Sequence, residues 1–155
     1  MSSSPFPSPP PLLSALTEDE LTALHGFGVD LKVPSATPMI EQGKNQDRLY
    51  IVINGRLVVS RSNAGQSVDL AELRAGEMFG EMSVFDPGPA SATVKSSAAC
   101  QLWFIDRSAF DQFVDANPAA GAKLLREVAK QLSSRVRVLD ANVDASGGRL
   151  AEGWW

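Results

Sequence analysis

A series of short apolar runs separated by turn residues fills the middle of the chain, and it constrains the fold more strongly than any other feature. Each run covers a few positions before a glycine, a proline or a polar cluster interrupts it. Short runs at this spacing are typical of an antiparallel β-sandwich or β-roll. The runs lie at residues 39–40, 49–53, 57–60, 68–73, 92–95 and 101–105.

Three turns are predicted between these runs. Asn54-Gly55 separates 49–53 from 56–59, and this dipeptide favours a two-residue hairpin because both central residues of a type I′ turn need positive φ. Asn63-Ala64-Gly65 indicates a second hairpin, and Arg74-Ala75-Gly76 indicates a third turn. The strands on either side of Asn54-Gly55 are therefore predicted to pair with each other.

Helical periodicity precedes and follows the apolar runs. From residue 12, leucines recur at helical spacing, and Thr17 and Glu20 form a capping box. After residue 105, a short helical segment ends at Asn117-Pro118, and a long helix is predicted from about residue 119 to residue 143. Residues 144–155 are expected to form a tail.

A narrow apolar stripe runs along the predicted long helix, with its members at steps of three and four residues. Such a stripe either docks on the barrel of its own chain or pairs with a second copy. Because the helix is longer than a small barrel can cover, we expect a homodimer through this helix. The stripe consists of Leu125, Val128, Leu132, Val136, Leu139 and Val143.

Composition limits the classes of function. At 155 residues, of which 44% are hydrophobic, the chain can bury one core without disulfides or metals. A net charge of −4 argues against a broad nucleic-acid-binding surface, so small molecules or proteins are the expected partners. The single cysteine, Cys100, excludes a disulfide within the chain, and the single histidine, His25, excludes a metal-binding cupin barrel. No metal site is expected.

The N-terminal segment, residues 1–11, is rich in serine and proline and is predicted to be a disordered arm. It lacks the basic start of a secretory signal. No uncharged apolar run approaches the roughly 20 residues of a membrane span. We therefore expect a cytoplasmic protein.

The segment Phe79-Gly80-Glu81-Met82-Ser83 has the character of an anion-binding turn. Gly80 allows the backbone to approach a ligand closely, and residues 82–85 can form one helical turn before Asp86-Pro87-Gly88-Pro89 ends it. A turn that leads into a helix presents unpaired N–H groups to a phosphate.

Residues 76–83, followed by Pro89-Ala90-Ser91-Ala92-Thr93-Val94, resemble the phosphate-binding cassette of cyclic nucleotide-binding domains. We name residues 76–94 the cassette. Residues 49–55 are also similar to a hydrophobic signature of this family. The resemblance covers approximately residues 12–143. It implies an α+β fold: an antiparallel β-roll, or double-stranded β-helix, that is jelly-roll-like and is flanked by an N-terminal helix and a long C-terminal helix.

The same resemblance implies cAMP or cGMP as ligand and no other cofactor. It assigns Glu81 the role of accepting a hydrogen bond from the ribose 2′-hydroxyl. It places Gly80, Met82, Ser83 and Ser91 around the ribose phosphate. Arg135, on the long helix, lies where relatives place helix residues against the base.

The chain departs from the family pattern at position 90, where alanine stands in place of the cassette arginine. The arginine of relatives makes charge-assisted bonds to the phosphate that contribute roughly 1.5–3 kcal/mol each. Losing one such bond lowers affinity by about one or two decades. Arg74, Lys95 and Arg135 are the cations considered as substitutes.

Two functions remain open from the sequence. The first is a non-enzymatic sensor that binds a cyclic nucleotide and acts through an unknown effector protein. The second is a degenerate domain that serves as a dimeric interaction module with weak, altered or no nucleotide binding. An enzyme is not expected, because the sequence shows no nucleophile–base pair, metal cluster or carboxylate dyad. Direct contact with DNA is not expected either, because the chain ends where a DNA-binding domain would begin.

Overall fold

The computed structural model describes residues 4–146; in the long C-terminal helix it describes the side chains up to residue 137, except residue 135. A 3₁₀ turn, Pro11–Leu13, precedes helix α1, Glu18–Phe27. Helix α2 is Glu81–Phe85, α3 is Arg107–Ala116 and α4 is Pro118–Ser146. The strands are β1 Val29–Val33, β2 Pro38–Ile40, β3 Asn45–Gln46, β4 Arg48–Asn54, β5 Arg56–Asn63, β6 Gln66–Arg74, β7 Met78–Phe79, β8 Gly88–Pro89, β9 Thr93–Ser96 and β10 Cys100–Asp106.

The strands form antiparallel sheets, as predicted. Within the described residues, one four-stranded sheet has the order β1-β10-β4-β7 and a second has the order β2-β9-β5-β6, while β3 and β8 form a short ribbon. The helices flank these sheets at both ends of the chain. The predicted α+β fold is confirmed.

Strand β4 of the first sheet is buried on both faces. Alternate residues of β4 point to opposite sides, so Leu49 and Ile51 pack toward the helices while Tyr50 and Val52 pack between the two sheets. Both sets are buried. This double burial explains why the run at 49–53 is continuously apolar instead of alternating.

The hairpin predicted at Asn54-Gly55 is wrong. Strand β4 belongs to the first sheet and β5 to the second, so the chain turns a corner between sheets at this point. Gly55 has a φ of 106°, whereas Asn54 is not among the positive-φ residues of the described chain. A Cβ on Gly55 would lie 2.6 Å from the Ala99 carbonyl oxygen, so close contact as well as φ requires glycine here.

The second predicted hairpin is confirmed. Strands β5 and β6 pair from Asn63 opposite Gln66, which leaves Ala64 and Gly65 as a two-residue loop. Both loop residues have positive φ, 53° and 82°, as a type I′ turn requires.

The expectation of a disordered arm is wrong for the described part of residues 1–11. Phe6 is completely buried in the core that lies under the helices. Its ring makes T-shaped contacts with two others, at centroid distances of 5.6 Å from His25 and 5.1 Å from Trp103. A single large aromatic side chain anchors this segment because burying it removes much apolar surface from water. Residues 1–3 lie outside the described residues.

Helix α4 begins at Pro118, one residue before the predicted start, and continues to Ser146, beyond the predicted end at 143. It packs through Ala120, Leu124 and Val128, and a Cβ on Gly121 would lie 2.8 Å from the Val114 side chain of α3. Of the predicted stripe, Val128 lies in this contact, whereas Leu125 and Val136 are 50% and 49% exposed. Leu139 and Val143 lie outside the described side chains, as do Trp154 and Trp155 in the predicted tail. Within residues 4–146, no helix is both long and apolar enough to cross a membrane.

Helix α1 is capped as predicted, and its cap is linked to α4. Thr17 and Glu20 exchange the two bonds of a capping box, and Lys123 donates to Glu20 Oε1 at 2.5 Å. The Lys123 ammonium, together with the bond from the Thr17 N–H, holds the pKa of Glu20 below its ordinary value of 4.5. A carboxylate whose pKa is depressed on folding stabilises the fold above its unfolded pKa, and this stabilisation is lost as the pH falls through the folded pKa.

We expect Glu20→Gln to lower the free energy of unfolding at pH 7 by about 1 kcal/mol or less, because Gln preserves the capping box but removes the charge. The difference from the parent chain should shrink as the pH falls below the ordinary value of 4.5, measured by urea unfolding across that range. Asp19→Asn removes a charge from the same helical turn and is the control. A difference that stays constant with pH would contradict the role of the Glu20–Lys123 pair.

Candidate functional site

Gly80 forms a tight turn between β7 and α2. Its φ is 76°, in the left-handed region, where side chains other than glycine are disfavoured. A Cβ on it would lie 2.4 Å from the Arg48 carbonyl oxygen and 3.0 Å from Gln46 Nε2. Close contact with the backbone of β4, as well as φ, therefore requires glycine at position 80, and the approach of a ligand to Gly80 stays a prediction.

Helix α2 is short and is held at its C-terminal end. The Asp86 N–H donates to the Met82 carbonyl at 2.8 Å and closes the last turn. One guanidinium nitrogen of Arg107 donates to the carbonyls of Val84 and Phe85 at 3.2 and 2.8 Å, and Arg107 Nε donates to Asp111. Arg107 therefore ties the cassette to the first turn of α3.

A pocket of about 230 Å³ opens between α2 and the chain from residue 88 to residue 94. Its base is apolar and comes from both sheets, while its rim comes from the cassette. Among the described residues that line it, Asp86 is the one charged side chain, and no lysine or arginine is present. The lining consists of Ile40, Gln46, Val59, Phe79, Gly80, Met82, Ser83, Asp86, Gly88, Pro89, Ala90, Ser91, Ala92 and Val94.

Ala90 has a fixed backbone at the rim of this pocket. Its N–H donates to the Lys44 carbonyl at 2.9 Å, and its carbonyl accepts from the Gly43 N–H at 2.8 Å. The side chain is half-buried and lines the pocket. A residue at position 90 therefore projects its side chain into the site from a defined position.

The structure brings most of the predicted site residues together. Gly80, Met82, Ser83, Ala90 and Ser91 all line the pocket. Glu81 is the first residue of α2 and is half-buried, but it is not among the lining residues. Arg135 lies in α4, and its side chain is outside those that the structure describes.

The two cations considered on neighbouring strands do not approach the site. Arg74 pairs with Glu72 on β6, with 3.0 Å between Nε and Oε1, and Lys95 is exposed on β9. Neither is among the residues that line the pocket. Within the described side chains, no group of three or more His, Cys, Asp or Glu residues is placed to hold a metal ion.

Comparison with known proteins identifies the family of the chain. The family model of the cyclic nucleotide-binding domain matches residues 31–117, more than half of the chain. The chain belongs to the cyclic nucleotide-binding domain family. This confirms the family that the cassette predicted.

Individual relatives agree with this assignment. The cAMP-activated global transcriptional regulator CRP of Haemophilus influenzae is 33% identical over 125 residues, which are 78% of this chain and 55% of the relative. The N-terminal domain of a transcriptional regulator from Streptomyces coelicolor has a TM-score of 0.78 at 27% identity, covering 83% of this chain and 90% of that one. The catabolite activator protein of Thermus thermophilus has a TM-score of 0.77 at 28% identity, covering 87% and 62%. The chain spans about half the length of the curated relatives it matches.

Two residues of this cyclic nucleotide-binding domain were missed by sequence reasoning. Arg107 supports α2 from α3, and Arg61 on β5 donates from Nε to the Ser91 carbonyl at 3.1 Å. Both contacts join segments more than 20 positions apart in the chain. No local pattern in the sequence indicates either contact.

Proposed function

We propose that the protein is a non-enzymatic sensor that binds a cyclic nucleotide, cAMP or cGMP, and acts through a partner protein. The observation that carries this proposal is the pocket itself, which is lined by cassette residues of a cyclic nucleotide-binding domain. The apolar base accepts a nucleobase or ribose face, and the polar rim at Ser83 and Ser91 accepts the ribose phosphate. The Haemophilus influenzae relative, which is 33% identical, is named as a cAMP-activated regulator, and this supports cAMP as the first ligand to test.

In this proposal, Glu81 accepts a hydrogen bond from the ribose 2′-hydroxyl. A carboxylate beside an anionic phosphate is unfavourable unless the ligand offers a hydroxyl. Its position on the first turn of α2 keeps it beside Gly80 and Met82, both of which line the pocket. Arg135 of α4 is proposed to approach the base.

The signal is proposed to leave the pocket through the helices. A ligand contacts α2, and the Arg107 guanidinium connects the end of α2 to α3. Helix α3 packs tightly on α4, where Gly121 faces Val114. Movement of α2 on binding therefore changes how α4 presents its exposed face to a partner.

A second candidate function is a dimeric interaction module that binds nucleotide weakly or not at all. The exposed Leu125 and Val136 favour it, because 11 residues, or about three helical turns, place both on one face of α4. Ala90 favours it as well, since the pocket lining lacks a cation. The proposed dimer forms through this face of α4.

Isothermal titration with cAMP and with cGMP tests the sensor directly. We expect saturable binding and a rise in the melting temperature at millimolar ligand. Absence of heat and of any thermal shift at these concentrations would reject the sensor in favour of the interaction module. Sedimentation of the parent chain and of Val136→Glu then tests the dimer, which the charged variant should weaken.

The role of Glu81 gives a sharper prediction. We expect Glu81→Gln to lower the affinity for cAMP by about 10-fold, since a charge-assisted bond becomes a neutral one. The affinity for 2′-deoxy-cAMP should be nearly the same in the variant and the parent chain, because this ligand lacks the hydroxyl. Titration of both ligands measures the difference.

Glu18→Gln is the matched control for this experiment, because Glu18 is the first residue of α1, as Glu81 is of α2. The control should bind both ligands as the parent does. If Glu81→Gln weakened cAMP and 2′-deoxy-cAMP equally, Glu81 would have no specific contact with the 2′-hydroxyl.

A further inference from the structure

The pocket needs a positive charge if it is to hold a phosphate, and its own lining does not supply one. The described lining carries the Asp86 carboxylate and neither lysine nor arginine. A phosphate placed beside Asp86 without a cation meets only repulsion from charged groups. A cation must therefore reach the rim from outside the cassette.

Arg61 is placed to do this from β5. Val59, two residues earlier on the same strand, lines the pocket, and residues two apart on a strand share one face. Arg61 Nε donates to the Ser91 carbonyl at 3.1 Å. Ser91 lines the pocket and follows Ala90 directly. The guanidinium is therefore bonded to the segment from which the cassette arginine is missing.

The backbone on both sides of Arg61 is fixed. Ser60 pairs with Thr93 of β9. On the other side, the Gln42 side chain accepts from the Ser62 N–H at 2.7 Å and donates to the Ser62 carbonyl at 3.0 Å. These two hydrogen bonds from Gln42 continue the backbone pairing of β5 beyond the end of β9. Arg61 consequently projects from a rigid position at the rim.

The Arg61 guanidinium retains capacity for a ligand. Arg56, Arg74 and Arg107 each pair with a carboxylate, whereas Arg61 makes no ion pair with any described residue. Its Nε is bonded to Ser91, and the structure records no bond from its two terminal nitrogens to another described residue. Two terminal nitrogens in a fixed fork match two oxygens of a phosphate.

We infer that Arg61 provides the positive charge that Ala90 lacks, so that the phosphate of a bound cyclic nucleotide is neutralised by a guanidinium from β5 instead of the cassette. The inference rests on the proposed function, because it concerns the same pocket and the same ligand. It identifies a cation outside the family pattern as the phosphate-binding group.

Titration of cAMP into the parent chain, Arg61→Gln and Arg74→Gln tests the inference. We expect Arg61→Gln to weaken binding about 10- to 100-fold, as the loss of a charge-assisted contact does. Arg74→Gln removes the same charge from the neighbouring strand, where its partner is Glu72, and should change affinity by less than about twofold. Raising the KCl concentration should weaken binding to the parent more than binding to Arg61→Gln.

The outcomes separate this inference from the proposed function. Loss of affinity and of salt dependence confined to Arg61→Gln supports the role of Arg61. Equal affinity and equal salt dependence in the parent and Arg61→Gln would overturn it while leaving the sensor intact. If the parent bound neither cAMP nor cGMP, the sensor and the role of Arg61 would both be rejected. Urea unfolding of each variant checks that Arg61→Gln, an exposed position, remains folded.

Discussion

Replacing Ala90 with arginine is expected to raise the affinity of the protein for cAMP about 10- to 100-fold. The backbone at this position is held on both sides by Lys44 and Gly43, so the new side chain starts from a defined point at the rim. Ala90 lines the pocket, and its half-exposed side chain leaves room for a longer one toward solvent. Arginine there adds a bidentate donor to a lining whose charged group is Asp86. Isothermal titration of the parent and the variant measures the gain.

A charge-matched control separates a local contact from a change in net charge. Thr22→Arg adds the same charge on α1, at an exposed position that does not line the pocket. It should leave the affinity within about twofold of the parent, because exposed charges at a distance are screened by salt. If both arginine variants raised the affinity equally, the gain would come from overall charge and not from the cassette.

The same variant tests the role of Arg61 by a double-mutant cycle. With arginine at position 90, the phosphate has a second cation, so Arg61→Gln should cost less affinity than it does in the parent chain. Two side chains that contact the same phosphate are expected to have non-additive effects on affinity. Fully additive effects would mean that Arg61 and position 90 contact different parts of the ligand.

Structural features that depend only on neighbouring residues could be predicted from the sequence. The capping box at Thr17 and Glu20 and the loop at Ala64-Gly65 need only neighbouring residues, and both are present in the structure. The left-handed φ of Gly80 is also a local property, whereas its close approach to β4 is a long-range contact that the sequence did not indicate. The sequence therefore indicated the cassette, and five of the predicted site residues line the pocket: Gly80, Met82, Ser83, Ala90 and Ser91.

Asn54-Gly55 shows where local signals fail. The dipeptide favours a hairpin, but Leu57 and Val59 pack between the sheets and β5 pairs with β9 and β6. Burial of β5 against the facing sheet outweighs the preference of a single turn. Which strand pairs with which is a long-range property that the dipeptide does not encode.

Arg61 was missed for a related reason. In the sequence it is a charged residue near a hairpin, 30 positions before its partner Ser91. Only the pairing of β5 with β9 brings these residues together. In the proposed role of Arg61, the effect of Ala90 on phosphate binding depends on strand pairing as well as on the cassette.

The prediction of a disordered N-terminal arm was based on composition. Serine and proline around Phe6 indicate a chain without enough apolar surface to fold by itself. The structure supplies that surface from elsewhere, because Phe6 contacts the completely buried Trp103 ring of β10 and the partly exposed His25 ring of α1. One aromatic residue is enough when the remaining core is preformed.

Phe6→Ala is expected to lower the free energy of unfolding by about 3–5 kcal/mol, the usual cost of removing a buried phenylalanine side chain. Phe6 is completely buried, and its removal opens a cavity beside Trp103, another completely buried side chain. The Trp103 indole also donates to the His25 carbonyl at 3.1 Å, so this cavity borders the end of α1. Urea unfolding followed by circular dichroism at 222 nm, a far-ultraviolet helix signal, measures the loss.

Two further variants test whether the loss of stability in Phe6→Ala comes from removal of a buried side chain. Phe6→Leu keeps most of the apolar volume and should lose less stability than Phe6→Ala, because the cavity is smaller. Pro7→Ala changes the exposed neighbour of Phe6 and should remain within about 1 kcal/mol of the parent. A loss below about 1 kcal/mol for Phe6→Ala would show that residues 4–11 detach from the core in solution and that the sequence-based expectation of a free arm was correct. The large loss expected here would establish that this segment is part of the folded domain, since the Phe6 ring packs in the core against His25 of α1 and Trp103 of β10.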